Sequence, residues 1–440
     1  MVTKHRTKAP EESEQTEGGT DAASEKAPET ETYQELETLN SMEPIWKRPK
    51  DKVTDEEYHS FYKSRFNDFA DPCRVIRTSV EGVSSYTALL FIPGQTPFDY
   101  YTQDYEKGLA LYSSGVLIMD KCKELLPDYF NFVRGLVDSQ DLSLNISRET
   151  LQHDRQVKLI ARNLEKKIKN ELLEFLKTDR EGYEKFFGNF GRQLKYGIYD
   201  GYGVNKDKLA DLILFYSSAE KKLITLDEYL AKMKTDQEKI YYAPGETVEK
   251  IDQLPQVQAA KAKGFEVLYL TDEIDEFVVK MMQDYKEKAF CSVSEEDMSV
   301  QETEEEKEAL KKAVDENQDL LAFMKETLGE KVAEVKFSGR LGDAPVTLTS
   351  KGGISLEMEK TLNRMPVNRG IRAERVLELN PDSPVTGKLK ESFGRGDGAD
   401  GKELTALYTR LLYDQAVLIS GLSVDDPSQL SQDIDALIIR

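Results

Sequence analysis

The chain has 440 residues, 39% hydrophobic and 32% charged, with a formal net charge of −21. That excludes a wholly disordered polymer, and the acid excess excludes duplex nucleic acid, which needs a clustered basic surface. Cys73, Cys122 and Cys291 lie far apart without a CxxC pair or a His partner, and no apolar run reaches the roughly 18 residues of a membrane span. A reducing cytoplasm is the expected compartment, with no disulfide framework, metal site, secretory leader or membrane contact.

The first forty residues are rich in Glu, Thr, Ser, Ala and Gly, with Val2, Tyr33, Leu36 and Leu39 as their few large apolar side chains. They bury too little to offset ordering entropy, so residues 1–40 read as a disordered acidic linker. Globular sequence starts at Met42-Glu43-Pro44-Ile45-Trp46. Thr54 and Glu57 form a capping-box pair ahead of Tyr58, Phe61 and Tyr62 at helical spacing. Strands are expected at Arg74–Glu81 and Tyr86–Pro93, the second apolar enough to be covered on both faces. A further strand is expected over Leu109–Asp120, a short helix over Leu125–Val133, and a strand over Arg134–Asp138.

A long helix is expected from near Ser147 to Lys177, with Val157, Ile160, Leu164, Ile168, Leu172 and Phe175 as its buried stripe. Glycines at 182, 188, 191, 197, 201 and 203 suggest short helical pieces between Asp179 and Asn205, with a core of Tyr183, Phe186, Phe187 and Phe190. A second α/β unit follows, with strands at Leu212–Tyr216, Lys239–Tyr242 and Glu266–Leu270, and helices opening at Thr225 and running through Phe277–Met282. The acidic stretch 294–318 reads as a solvated helix at a boundary. Beyond it come a helix over Leu320–Leu328, strands at Val332–Ser338 and Ala344–Thr349, an amphipathic helix over Ser355–Met365, and two helices at Lys402–Leu422 and Pro427–Ile439.

No HExxH, paired-Cys, EF-hand, P-loop, GxGxxG or GxSxG pattern occurs, so no self-contained catalytic apparatus is expected. Arg148 and Gln152 stand four apart on one helix face, a spacing that suits an anion but is usually plain surface. Leu356, Met358, Leu362 and Met365 are either core or the adaptable exposed surface that Met provides. Leu407, Leu411, Leu418, Ile434, Leu437 and Ile438 need cover from the chain's own core or from a second copy, and a homodimeric helix packing is the favoured cover.

The stretches PIWKRPKDKVTDEEYHSFYKS, ALLFIPGQTPFD, VLIMDKCKELLPDYFNFVRGLVDSQDLSLNISRETLQ, FFGNFGRQLKYGIYDG, GFEVLYLTDEIDEFVV and LLYDQAVLISGLSVDDPSQ carry a resemblance over about nine-tenths of the chain. From Leu39 to Arg440 the sequence resembles the bacterial branch of the ninety-kilodalton heat-shock chaperones. The resemblance implies an α/β plus α+β architecture. A layered α/β middle domain (41–177) leads through a helical connector (178–205) to a second, smaller α/β unit (206–297), and an α+β dimerisation domain follows (298–440). It also implies an acidic linker to an ATP-binding domain whose motifs have no counterpart in these residues. ATP and Mg2+ are the family's cofactors, and neither is expected to bind this chain alone. By the resemblance Arg148 and Gln152 reach the γ-phosphate, with Asn145 shaping their loop. Client contacts are implied at Trp46 and at Ile354, Leu356, Met358, Leu362 and Met365. Implied partners are a second copy, unfolded client proteins and other chaperones, but no nucleic acid and no membrane. Whether the chain takes part in catalysis is left open, and the alternative function is a standalone client-binding adaptor without ATPase activity.

Overall fold

A computed structural model describes residues 2–7, 30–35, 43–82, 84–103, 105–142, 155–235, 237–294, 304–365, 370–394 and 399–439. Within them the chain is a mixed α/β assembly with sheets of two, five, six and three strands. The segment expected to be a disordered linker contains two antiparallel strands, β1 (Val2–Thr7) and β2 (Thr30–Glu35). The pairing runs from Val2 opposite Glu35 to Thr7 opposite Thr30, and Val and Thr supply five of the twelve positions, so strands form where composition alone argued against order.

Helix α1 (Asp55–Phe66) begins on the expected capping box, Thr54 accepting from the Glu57 amide and Glu57 from the Thr54 amide. It lies on a sheet of β3 (Pro72–Val80), β4 (Tyr86–Pro93), β5 (Leu109–Ser113), β6 (Val116–Cys122) and β7 (Arg134–Ser139), in the order β3-β4-β7-β5-β6. The run Leu109–Asp120 is a hairpin rather than one strand. Ser114 and Gly115 both take positive φ, 52° and 87°, which turns the chain in two residues. The helix expected over Leu125–Val133 is replaced by 3-10 turns at Lys123–Leu125 and Asp128–Phe130, because Pro127 interrupts it. Strand β4 is buried along nearly its whole length, as its apolar run requires.

Helix α2 (Arg155–Thr178) buries all six residues of the expected stripe. The connector is one helix, α3 (Arg180–Asp200), where the glycines suggested broken pieces. Packing overrides propensity there. A Cβ on Gly197 would stand 2.4 Å from Cβ of Tyr129, so the glycine lets the helix approach that ring. After α4 (Lys206–Leu209) come β8 (Leu214–Ser217), β9 (Leu223–Thr225), α5 (Leu226–Lys232), β10 (Ile240–Pro244), α6 (Val248–Asp252), α7 (Pro255–Ala262), β11 (Leu268–Leu270), α8 (Asp275–Met282), β12 (Asp284–Tyr285) and β13 (Lys288–Ser292). These strands form the six-stranded sheet, β12-β13-β10-β11-β8-β9. One apolar core runs from Ile76 and Leu90 through Phe132 and Phe190 to Ile240 and Leu270, so α2 and α3 join the two sheets without a solvent gap. Trp46, Tyr62 and Phe91 form a separate cluster under α1.

The last part holds α9 (Glu304–Glu316), α10 (Gln318–Leu328), β14 (Glu334–Phe337), β15 (Val346–Lys351), α11 (Leu356–Arg364), β16 (Glu374–Leu379), α12 (Pro384–Gly394), α13 (Ala399–Ile419) and α14 (Pro427–Ile439). The sheet order is β14-β16-β15, and its core joins Leu321 and Met324 to Leu377, Leu412, Tyr413 and Val417. Among the described residues no helix is long and apolar enough to cross a membrane.

Candidate functional site

Asn145, Arg148 and Gln152 lie outside the described residues, but both ends of their segment are fixed. On the entering side, β7 delivers Ser139, whose hydroxyl donates to the Ser85 carbonyl at 2.8 Å. The Ser113 hydroxyl donates to the Leu142 carbonyl at 2.6 Å, and the Asp141 carboxylate accepts from the Ser85 amide. On the leaving side Val157 is anchored in the core from the first turn of the described part of α2.

One strand position upstream of Ser139 is a buried carboxylate that sequence inspection passed over. Asp138 accepts from the Trp46 indole N–H at 3.0 Å and from the Gly115 amide at 3.0 Å, and pairs with Lys47 at 3.3 Å. Residues 46, 115 and 138 are thereby tied together from three places in the chain. Arg77 secures the same segment by donating to the Trp46 carbonyl at 3.0 Å and the Tyr58 hydroxyl at 2.8 Å. The indole also meets Phe61 edge-on, with centroids 6.2 Å apart, and Tyr112 at 5.2 Å. Trp46, expected to face a client, is itself buried, as is Ile45; both lie under a shallow hollow whose rim is formed by Glu43, Glu56, Ser60 and Phe61. The signal for Asp138 was available: an acid inside the apolar strand Arg134–Ser139 breaks the pattern.

Helix α11 begins where the sequence predicts. Ser355 caps it by accepting from the Met358 amide at 3.0 Å, and donates its own hydroxyl to Glu276 at 2.5 Å. Its other end spans to the second sheet through Arg364, 3.0 Å from Glu246 and 3.1 Å from Glu273. On the opposite side Glu359 is buried, accepting from Arg375 and from the Ala373 amide, both at 2.8 Å. Arg375 also donates to the Tyr413 hydroxyl at 2.8 Å. Burial disfavours the Arg375 guanidinium, but Glu359 and Tyr413 outweigh it and hold its pKa above the usual arginine value. Of the residues expected to meet clients here, Ile354, Leu356, Met358 and Leu362 are half-buried, and Met365 is 48% exposed. Met358 lines a cleft of about 170 Å3 with Phe277, Thr361 and Arg364, while Leu356 lies against the C-terminal core.

The six residues expected at a dimer contact divide in two. Leu407 is buried within its own chain and Leu411 is half-buried. Leu418, Ile434, Leu437 and Ile438 are exposed, joined by Ile419 and Ile439, with Ile438 at 76%. Arg410 holds α14 on α13 through two contacts of 2.7 Å to Asp433, and hydrogen bonding to that guanidinium lowers the Asp433 pKa.

A titratable cluster that no motif announces sits between α3 and α8. Lys195 is buried, with its ammonium 2.6 Å from both Asp272 and Asp275. Burial disfavours the ammonium, but the two carboxylates outweigh it and raise the Lys195 pKa. Asp272 stays below the ordinary carboxylate range because Lys195 outweighs its own burial, whereas burial raises Asp275. The three cysteines are free thiols, and burial pushes Cys73 and Cys122 up to about 12. Among the described residues no group of three or more His, Cys, Asp or Glu is placed to hold a metal ion.

The profile of the Hsp90 protein family matches residues 2–440. The chaperone protein HtpG of Clostridium acetobutylicum is 53% identical over 410 residues, 93% of this chain and 64% of that protein. HtpG of Clostridium botulinum strain Langeland is 54% identical over 407 residues, covering 92% and 64%, and that of Oceanobacillus iheyensis is 51% identical over 411, covering 93% and 65%. The chain thus spans a little under two thirds of the length of these relatives. With mixed sheets joined by helices and this match over nearly its whole length, the chain belongs to the Hsp90 family.

Proposed function

We propose that the chain forms the client-holding and dimerising part of an HtpG-type molecular chaperone of the cytoplasm. It holds partly unfolded polypeptides along α11 and beside Trp46, and pairs with a second copy through α13 and α14. Arg148 and Gln152, with Asn145 shaping their loop, reach the γ-phosphate of ATP held by another domain. A guanidinium and an amide N–H fit phosphate oxygens as donors. ATP with Mg2+ supplies the transferable phosphoryl group when bound, and this chain's part is to bring donor groups to the charge that develops there, as an inserted arginine does in other phosphoryl-transfer systems. The observation that carries the reading is the identity of about half with HtpG proteins along 93% of the chain.

The test is light scattering of a thermally unfolding client enzyme with the purified chain present. Stoichiometric chain should hold scattering down without nucleotide. Unchanged scattering overturns the client-holding role. In the same preparation ATP turnover should stay at background, and turnover would overturn the placing of nucleotide on another domain.

A further inference from the structure

Beside the Lys195 cluster a cleft of about 430 Å3 opens between α3, the loop at Tyr101 and the edge of the second sheet. That volume lies in the roughly 300–1,000 Å3 range of ligand pockets. Its walls are the aromatic rings of Tyr101, Phe187 and Tyr216, and Tyr216 is stacked on Tyr269 with centroids 5.9 Å apart. Its polar wall is Asp272 with Asn189, Arg192 and the buried Lys195–Asp275 pair, and the Asp272 side chain keeps 37% of its surface exposed although Lys195 holds one oxygen. The other oxygen faces Arg192 at 3.9 Å, the limit of an ion pair, and Arg192 is itself 67% exposed. A carboxylate with one oxygen loosely paired, beside ring faces, in a chain of net charge −21, suits a cation. A planar guanidinium satisfies both features at once, stacking on a ring while its N–H groups bind the carboxylate, which a compact ammonium does less well.

We propose that this cleft binds the guanidinium of an arginine side chain carried by an extended polypeptide, which takes the place Arg192 now loosely holds at Asp272. The chaperone reading enters only in naming an extended polypeptide as the carrier. Gly188 lines the cleft, and a Cβ built there meets nothing within 4 Å, so a side chain introduced at 188 starts from open space at the cleft wall.

The experiment is fluorescence anisotropy at low salt with a short dye-labelled Gly/Ser peptide carrying one arginine, against the same peptide with glutamine in its place. The arginine peptide should bind roughly tenfold more tightly, as expected when a charged donor meets a carboxylate. Gly188→Trp should reduce it to the level of the glutamine peptide. Arg192→Ala removes the intramolecular rival and should tighten binding about threefold. Lys185→Ala, which removes an equally exposed cation elsewhere on α3, should have a smaller effect. Equal binding of the two peptides, undiminished binding to Gly188→Trp, or equal gains from Arg192→Ala and Lys185→Ala would each overturn the site. If Gly188→Trp does not fold, the Arg192→Ala and Lys185→Ala comparison decides. Client aggregation is measured separately, so the cleft can fail while the chaperone reading stands, and the reverse.

Discussion

Replacing Asp138 by Ala removes the acceptor of the Trp46 indole N–H and of the Gly115 amide, bonds of 3.0 Å each. The indole N–H, left buried without a partner, costs about 1–3 kcal/mol; the Gly115 amide lies on an exposed turn and can bond water instead, and the Lys47 pair adds under about 1 kcal/mol. The expected loss is therefore about 2–3 kcal/mol for the sheet and α1. Asp138→Asn keeps one carbonyl oxygen and turns an N–H toward the other donor, so about half that loss is expected. Trp46 is the sole tryptophan, which makes its fluorescence a local reporter. In urea, with a slope of about 2–3 kcal/mol/M, the Ala variant should lower the midpoint by about 1 M. Its native emission should also shift to the red. In the double variant Trp46→Phe/Asp138→Ala, read by circular dichroism, the loss should fall short of the sum of the single losses by about 1 kcal/mol or more, because the indole donor has gone. An unchanged midpoint with unchanged emission, or strictly additive losses, would refute the claim that Asp138 ties these strands to the Trp46 segment.

On α3 two glycine replacements should have opposite signs. Gly197→Ala forces a Cβ to 2.4 Å from Tyr129 and should lower stability by about 1–2 kcal/mol after the helix gain is subtracted, while Gly188→Ala, with nothing within 4 Å, should raise it by up to about 1 kcal/mol in thermal melts. The Asp433 pKa is lowered in the folded chain by Arg410, so its contribution is complete above the unfolded value near pH 4 and is lost as pH falls through the lower folded value. Protease access to α14 should rise only below about pH 4, and Arg410→Gln should weaken that pH dependence, leaving the smaller part due to Gln429. Ile434→Asp with Ile438→Asp should give a monomer by sedimentation with the circular dichroism of the parent, and a persistent dimer would place the interface elsewhere. This pair tests the contact more cleanly than deletion from Lys402, which would also remove Leu412, Tyr413 and Val417 from the C-terminal core.

What the sequence made legible was local in origin. The capping box at Thr54, the helix start at Thr225 and the stripe of α2 depend on residues three or four apart, and each stands where the pattern puts it. The misses came from competition that a local window does not contain. The hairpin at Ser114–Gly115 was hidden because its two strands are both apolar and its turn occupies two residues. Helix α3 was read as broken because the glycines lower propensity, while the rings of Tyr129 and Phe187 that need those glycines belong to packing. The Trp46–Asp138 bond joins residues 92 apart, and Lys195 meets Asp272 across 77. No spacing rule reaches that far. Leu407 and Leu418 share one apolar helix pattern, yet only the fold decides that the first is consumed inside and the second left outside.

The two sides of α11 are held by interactions of very different worth. Toward the second sheet its ion pairs run through Arg364, more than half exposed, to partners that are themselves partly exposed, and such pairs contribute about 0–1 kcal/mol each. Toward the C-terminal sheet, Glu359 and Arg375 are both buried, and breaking such a pair from one side costs about 3–5 kcal/mol. The helix therefore belongs energetically to the C-terminal sheet, and its weaker side is the one that carries Met358 against Phe277 and the small cleft. Ser355 still ties the start of the helix to the buried Glu276, so the part that opens at small free-energy cost is the turn around Thr361 and Arg364, while the helix itself keeps its position. A holding surface needs that combination: a rigid support on one side and a loosely covered apolar strip on the other.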